Sequence, residues 1–446
     1  MINPWLGIAG VLAVLLGVMA GLRAWGSAQP VHAELSRKLM HISLGLLTAS
    51  FPWLFDDVWP VLVLCSIIVL WLLGLRYLPA LGSRLGGVIH AVERRSLGEL
   101  YFPISAAVLF VVAQGDRLLY CVPILILTLA DTAAALIGKQ YGHWKYTTPE
   151  GTRKSAEGSV AFFMVAFFSV HVPLLLLTAV PRAETLLIGL ILGLLVTLFE
   201  AIAWGGLDNV FIPLGSYFLL KQLLALSVAD LTVQLSVIAA VAAIATLRRN
   251  QTTFDDSALL GAVLAAYFIW VLGGWQWMVI PLLLFVLGRP LRSASATDPS
   301  GTHFHHLEAL VSVACPGLAW LGLANVLHRP DLFYPFMLTF AVHLALFEVG
   351  KLGPAADEQS PALLGTLCGT KSWLLLTVPF VLIEGVNPDT LTRAALALPV
   401  VIAATTGFVL TQPRRKGLPV DASRWLRQAG WSSLGSAVGL VPLLLR

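Results

Sequence analysis

The sequence predicts an all-α fold, a polytopic transmembrane helical bundle of about sixteen helices in two halves. Of the 446 residues, 58% are hydrophobic and 12% are charged, whereas soluble domains carry about a quarter charged residues. The mean hydropathy is +0.84. Apolar runs of roughly 17 to 22 residues recur along the chain, and each could cross a hydrocarbon core about 30 Å thick. The composition therefore excludes a water-soluble protein.

Helices explain these apolar runs better than barrel strands do. Strands of a transmembrane barrel alternate in hydropathy over about ten residues, whereas Leu-rich stretches such as 61–73 and 186–198 show no alternation. The first run, about 5–22, has no basic residue before it and no clear cleavage site, so we expect it to remain as a helix. Neither disulfides nor a zinc site is expected, because no paired spacing links Cys65, Cys121, Cys315 and Cys368.

The predicted spans divide between two parts of the chain. In the first part they lie near 5–22, 39–55, 58–75, 101–114, 118–138, 158–178, 185–204, 211–226 and 231–247. In the second part they lie near 257–273, 275–288, 307–326, 332–349, 372–385, 391–411 and 429–445. A polar joint at 248–257 separates the two parts. We therefore predict one transmembrane domain over residues 1–249 and a second over residues 250–446.

Basic residues concentrate in alternate loops, for example at Arg76, at Lys139 and at Arg248. The connections between those loops are short and weakly charged. By the positive-inside rule the basic loops are cytosolic and the amino terminus faces outward. The net charge of +4 is explained by this alternation, so membrane lipids and not nucleic acid are the expected neighbours. The sequence does not predict an oligomeric state.

Two polar clusters lie at predicted cytosolic ends of helices early in the chain. In ELSRKLMH, residues 34–41, Arg37 and His41 share a helix face and Lys38 lies beside them; the alternative is a basic anchor in the headgroup layer. In RRSLGELYFP, residues 94–103, Glu99 enters a helix. It is either the ion-pair partner of Arg95 or a ligand for metal or substrate.

A third cluster surrounds Asp131, a carboxylate within an apolar helix. Such a group is costly in a membrane and is a functional candidate by default. It is followed by glycines, which let the backbone approach a ligand, and by basic side chains, which neutralise phosphate. A helix start that favours anions comes next. These residues are Gly138, Lys139, Gly142, Lys145, Arg153, Lys154, Ser155, Glu157 and Gly158. A solvated basic loop would explain the cations but neither Asp131 nor the glycine spacing.

A fourth cluster, GLDN at residues 206–209, lies between two apolar helices and follows Glu200. Asp208 and Asn209 could complete a metal site or orient a hydroxyl group. The alternative is a turn closed by an Asx hydrogen bond. Because magnesium takes one or two carboxylates plus substrate phosphates, Asp131 and Asp208 would suffice for such a site.

Together, ELSRKLMHISLG, RRSLGELYFP, ADTAAALIGKQYG with KSAEGS, and GLDNVFIP resemble the phytol kinase and dolichol kinase family over about residues 30–225. The resemblance implies CTP as phosphate donor, a divalent metal (Mg²⁺) and a long-chain prenyl alcohol as acceptor, of the phytol, geranylgeraniol or polyprenol type. Asp131 and Asp208 are then expected at the metal, with His41 or Glu99 accepting the alcohol proton. Lys154, expected at the phosphates, and Glu157, expected either at the metal or in positioning the nucleotide, complete the expected catalytic set. The expected nucleotide-binding set is Arg37, Lys38, Gly138, Lys139, Gly142, Lys145, Arg153, Ser155, Gly158 and Asn209.

Two other readings stay open. The third cluster is also similar to the phosphatidate cytidylyltransferases, which join an Asp-bearing helix to a glycine turn and a Lys-Ser/Thr-x-Glu-Gly helix start; ELSRKLMH, GELYFP and GLDN fit the kinases better. A transporter is compatible with two similar-sized halves. Its polar residues, however, would lie near the bilayer midplane and not at helix ends.

The second half weakly resembles the integral-membrane family that includes phytyl phosphate kinase. Where that family has Asp-Thr-x-x-Ser-Glu-x-Gly, this sequence keeps Glu348 and Gly350 but lacks the Asp and both hydroxyls, which argues against a metal-dependent transfer there. His343 and Glu348 are five apart and do not share a helix face. We expect both to be structural.

Overall fold

The computed structural model describes residues 3–28, 33–77, 97–148, 153–249, 255–287, 307–352, 359–412 and 422–444. Nearly all of them are helical, and the two-stranded sheet is the one sheet among them. Eleven helices in these ranges are long and apolar enough to cross a membrane. The predicted fold class, a polytopic helical bundle, is confirmed.

The chain divides into two compact units, and the first covers Met1–Ser236. Its helices are α1 (Pro4–Ala28), α2 (Ala33–Ala49), α3 (Phe51–Leu54), α4 (Val58–Tyr77), α5 (Gly98–Ala113), α6 (Arg117–Leu125), α7 (Asp131–Tyr141), α8 (Ala156–Leu177), α9 (Arg182–Ile202), α10 (Asp208–Leu223) and α11 (Val228–Arg248). A π-helical turn, Ile126–Ala130, joins α6 to α7. An antiparallel hairpin of β1 (Lys145–Thr147) and β2 (Arg153–Ser155) joins α7 to α8.

The second unit covers Val237–Arg446, so the division falls within α11. Its further helices are α12 (Asp256–Leu287), α13 (Leu307–Leu327), α14 (Phe333–Lys351), α15 (Pro361–Glu384), α16 (Pro388–Thr411), α17 (Ala422–Val438) and α18 (Val441–Leu444), with a 3-10 turn at Pro330–Leu332. The predicted domain boundary between residues 249 and 250 falls at the edge of a segment, 250–254, that lies outside the described residues.

Fewer long helices are present than the predicted number of spans, for two reasons. The spans predicted near 39–55, 101–114, 211–226 and 429–445 correspond to helices of 16 or 17 residues, α2, α5, α10 and α17. The two spans predicted near 257–273 and 275–288 form α12, whose path bends at Gly274. Gly274 has a φ of 71°, a conformation that glycine adopts without steric cost.

Each unit buries its own apolar core. In the first unit, Val61 and Leu64 from α4 pack with Leu109 from α5 and Ile124 from α6. In the second unit, α14 is the central helix, since nearly every side chain from Phe333 to Leu346 is buried. Lipid tails are as apolar as the helix surfaces, so the hydrophobic effect does not drive helices together within a membrane. Close packing of the side chains in each core holds them together instead.

Candidate active site

The first feature of the site is the close approach of α2 to the π-helical turn. A Cβ at Gly45 would overlap the side chain of Thr128, so the contact requires glycine. The π-helical turn ends at Ala130 and places Asp131 at the start of α7. π-helical turns are frequent at functional sites because they shift the side chains that follow. The packing at Gly45 brings the preceding turns of α2 onto Asp131.

Asp131 is held by two side chains of α2. Lys38 Nζ lies 2.6 Å from Asp131 Oδ2 and also donates to the Asp131 carbonyl oxygen at 3.2 Å. His41 Nε2 lies 3.5 Å from the same Oδ2 and 3.2 Å from the Leu127 carbonyl oxygen. Lys38 is only 2% exposed. Burying a charge this deeply is costly unless an opposite charge faces it, as the Asp131 carboxylate does here.

A second ion pair joins the hairpin to α9. Lys154 Nζ lies 2.8 Å from Glu200 Oε1 and also donates to the Glu200 backbone carbonyl. Glu200 is 7% exposed, and its other carboxylate oxygen, Oε2, is buried without a hydrogen-bond partner. Buried polar atoms almost always have partners, so an unpartnered carboxylate oxygen indicates a ligand or solvent that completes it.

Asp208 lies close to both ion pairs, at the first residue of α10. Burial raises the pKa of the Asp208 carboxyl above its ordinary value, the Asp131 carboxylate raises it further, and the Lys154 cation opposes them. Asn209 Nδ2 donates to Asp208 Oδ1 at 3.4 Å. Ser105 of α5 donates to the Asn209 backbone carbonyl at 2.6 Å. The carboxylates of the third and fourth clusters therefore share one site.

The glycines of the third cluster pack α7 against α8. A Cβ at Gly142 would overlap the Gly138 carbonyl and lie 2.7 Å from Ser155 Oγ, and a Cβ at Gly158 would lie 2.9 Å from the Ala134 carbonyl. Ser155 is the N-cap of α8, and its hydroxyl accepts from the Gly158 N–H at 3.1 Å. The glycine spacing thus has a packing reason that the sequence analysis did not give.

Glu157 closes the loop that precedes the hairpin. Its Oε1 accepts from the backbone N–H groups of His143, at 3.0 Å, and Trp144, at 3.2 Å. This contact fixes the backbone that leads into β1. Of the two expected roles of Glu157, metal binding and nucleotide positioning, these hydrogen bonds favour positioning.

The other basic side chains of the expected nucleotide-binding set are exposed, and we name them the rim. The rim consists of Arg37, Lys139, Lys145 and Arg153, all with exposed side chains. Glu99, in the first turn of α5, is also exposed. Cations on flexible stems at the surface can reach an anionic ligand without a fixed geometry. Arg94 and Arg95 of the second cluster, and the loop residues 149–152, lie outside the described residues.

Three features of the site were missing from the sequence analysis: the pairing of Lys38 with Asp131, the pairing of Lys154 with Glu200, and the role of Gly45. The GLDN motif does not include Glu200, but a carboxylate near the end of an apolar helix is itself a signal of a functional residue. In the parts of the chain that the structure describes, no group of three or more His, Cys, Asp or Glu side chains is close enough to hold a metal ion. A metal here would depend on substrate phosphates for most of its ligands.

Comparison with known proteins supports the family resemblance. Over 218 residues the chain is 29% identical to a phytol kinase of Synechocystis sp., an alignment that covers 48% of this chain and 89% of that protein. The resemblance to isoprenoid-alcohol kinases predicted from the motifs is thereby confirmed. No family model matches the chain. No solved structure matches it either.

Proposed function

We propose that the first unit phosphorylates a long-chain prenyl alcohol to its monophosphate, with CTP as donor, at the cytosolic face of the membrane. The observation that supports this most is that two ion pairs, Lys38 with Asp131 and Lys154 with Glu200, join segments far apart in the chain. The charges of Asp131, Lys154 and Glu200 all act on Asp208, and we name these five residues the buried cluster. The similarity to a phytol kinase supports the class of acceptor. The positive-inside pattern supports the cytosolic face.

In phosphoryl transfer the protein mainly positions the reactants and neutralises charge. The rim cations Lys139, Lys145 and Arg153 are suited to hold the phosphates of the nucleotide. Lys154 lies at the boundary between rim and interior, with about a quarter of its side chain exposed. It is therefore the cation best placed to neutralise the γ-phosphate between the rim and the carboxylates during transfer to the alcohol.

The carboxylates fit a magnesium ion that is shared with the nucleotide. Asp131 and Asp208 would supply hard oxygen ligands, with substrate phosphates completing the coordination, and Glu200 adds a buried carboxylate oxygen, Oε2, without a hydrogen-bond partner. Burial and, next, the Asp131 carboxylate raise the pKa of Asp208, and a bound divalent cation would oppose both effects. A bound Mg²⁺ would neutralise phosphate charge and fix the phosphate geometry.

His41 can accept the alcohol proton through only one of its ring nitrogens. Both neighbours of Nε2, the Leu127 carbonyl and Asp131 Oδ2, are hydrogen-bond acceptors, so this nitrogen carries a hydrogen. A base role would therefore fall to Nδ1. Glu99, exposed at the start of α5, remains the second candidate; with a loose transition state, either contributes less than the positioned charges.

The test is incubation of the purified full-length protein in detergent with γ-phosphate-labelled CTP, magnesium, and a panel of prenyl alcohols and phosphatidate. We expect the label in a lipid monophosphate, with lower yield when ATP or GTP replaces CTP. Unlabelled CDP-lipid with labelled pyrophosphate would overturn the proposal in favour of a cytidylyltransferase. Absence of any lipid product, together with concentrative uptake into vesicles, would identify a transporter.

A further inference from the structure

The loop between α7 and the hairpin carries one large apolar side chain in an exposed position. Trp144 is 79% exposed, although its neighbours His143 and Lys145 are polar. It lies outside the two apolar spans on either side, Arg117–Tyr141 and Ala156–Leu177. Exposing an indole to water costs free energy in proportion to the apolar surface area that is left uncovered. The indole is therefore available to a ligand or a surface that would cover it.

The backbone of Trp144 is fixed although its side chain is exposed. Its N–H donates to Glu157 Oε1 at 3.2 Å, and its carbonyl accepts from the Ala156 N–H at 2.8 Å. The second bond extends the hairpin by one step beyond the pair Lys145 and Ser155. A fixed backbone lets the indole bind a ligand without a large loss of backbone entropy.

The same hairpin carries the cations expected at the phosphates. Lys145 directly follows Trp144, and Lys154 lies on β2, opposite Tyr146. Lys154 reaches the buried carboxylate Glu200 at 2.8 Å. The indole therefore belongs to a short, hydrogen-bonded segment that also presents positive charge and contacts the buried cluster. A nucleotide has the same combination of properties, with a flat aromatic base joined to a chain of anionic phosphates.

We propose that the Trp144 indole stacks on the nucleobase of the nucleotide donor, with Glu157 acting as the positioning residue that holds the Trp144 backbone. This inference rests on the proposed function, since it supplies a binding surface for the donor of that reaction. Stacking on an aromatic side chain is tolerant of base identity because every base has a π-face. Trp144 thus contributes affinity for nucleotides in general, and discrimination of cytosine from other bases lies with other residues.

The test is equilibrium binding of labelled CTP and, separately, of inorganic tripolyphosphate to the full-length protein in lipid nanodiscs with magnesium. Tripolyphosphate has the charge of the nucleotide but no base. Trp144→Leu should weaken CTP binding about tenfold and leave tripolyphosphate binding unchanged, while Trp144→Phe should retain most of the CTP affinity. Trp53→Leu makes the same change at another exposed indole, 58% exposed and beside Arg117, and serves as the matched control.

Any of four results would overturn the stacking proposal. Equal weakening of CTP and tripolyphosphate binding would mean that Trp144 shapes the phosphate site. Unchanged binding of both, with a lower melting temperature in nanodiscs, would identify Trp144 as a membrane-interface anchor. If the unmodified protein phosphorylates a prenyl alcohol but Trp144→Leu binds CTP normally, the stacking proposal is wrong and the proposed function stands. If the unmodified protein binds no nucleotide, both the stacking proposal and the proposed function are wrong.

Discussion

Both units of the protein contain carboxylates paired with lysines, but the two units differ in whether every carboxylate oxygen has a partner. In the second unit, Glu348 accepts from Lys351 through one oxygen, at 2.5 Å, and from Lys371 through the other, at 2.6 Å. In the first unit, Lys38 and His41 both contact Oδ2 of Asp131, and Glu200 has an unpartnered oxygen.

The histidines differ in the charge of the groups that they face. His343 is fully buried; its Nδ1 lies 3.2 Å from Gln428 Nε2, and its Nε2 has no hydrogen-bond partner. His41 contacts the Asp131 carboxylate. Where both oxygens of a carboxylate already have cations, the pair stabilises helix packing and has little left with which to bind a ligand. Charged groups that converge with oxygens still unpartnered indicate a binding site.

The largest expected effect comes from removing the charge of Asp131. Asp131→Asn should lower the rate of prenyl-alcohol phosphorylation by about a hundredfold or more, because it removes a group positioned for transition-state charge. Glu348→Gln is the matched control, since it makes the same chemical change in a lysine-paired carboxylate of the other unit. The measurement is label transfer at saturating CTP and magnesium. If both variants lose activity equally, the contrast between the units is wrong.

The second expected effect concerns the packing that brings α2 to Asp131. Gly45→Ala places a methyl group against Thr128, so α2 must shift and carry Lys38 and His41 with it. We expect a loss of about 1–3 kcal/mol in stability and about a tenfold loss of activity per folded molecule. Gly17→Ala, at a position where a Cβ meets nothing within 4 Å, should leave both unchanged. Thermal unfolding and activity assays on the same samples give the two readouts.

A normal rate in a destabilised Gly45→Ala protein would show that Lys38 and His41 act only in folding. That outcome would place the first unit's buried pair in the same structural class as the pair at Glu348, and it would remove the main difference between the two units.

The sequence was sufficient for the fold class and for a set of candidate site residues that stays a prediction, but not for the pairings among those residues. Apolar runs predict helices because hydropathy depends only on local sequence. Asp131, Lys38 and Lys154 were all predicted as site residues for similarly local reasons. Which lysine meets which carboxylate depends on how closely helices approach, and that depends on contacts such as Gly45 with Thr128, whose partners are far apart in sequence.

The two expected roles of Glu157 can be separated by a pair of substitutions. Glu157→Gln keeps an oxygen that can accept from the His143 and Trp144 N–H groups, whereas Glu157→Ala removes it. If Glu157 positions the loop, the Gln variant should keep nearly normal activity and the Ala variant should raise the KM for CTP by about fivefold. If Glu157 binds the metal, both variants should raise the magnesium concentration required for half-maximal rate. Titrations of CTP and of magnesium distinguish the two results.

The smallest expected effect lies at the exposed rim. Lys145→Gln should raise the KM for CTP by about two- to threefold at low ionic strength, because an exposed charge interacts weakly through water. The difference should shrink as salt approaches about 1 M, where the Debye length falls to about 3 Å. Lys371→Gln is the control in the second unit, since its side chain is also exposed but it neutralises a structural carboxylate. If the rise in KM of Lys145→Gln does not depend on salt, Lys145 binds phosphate directly in a desolvated position. Lys145 would then belong with the buried cluster and not with the rim.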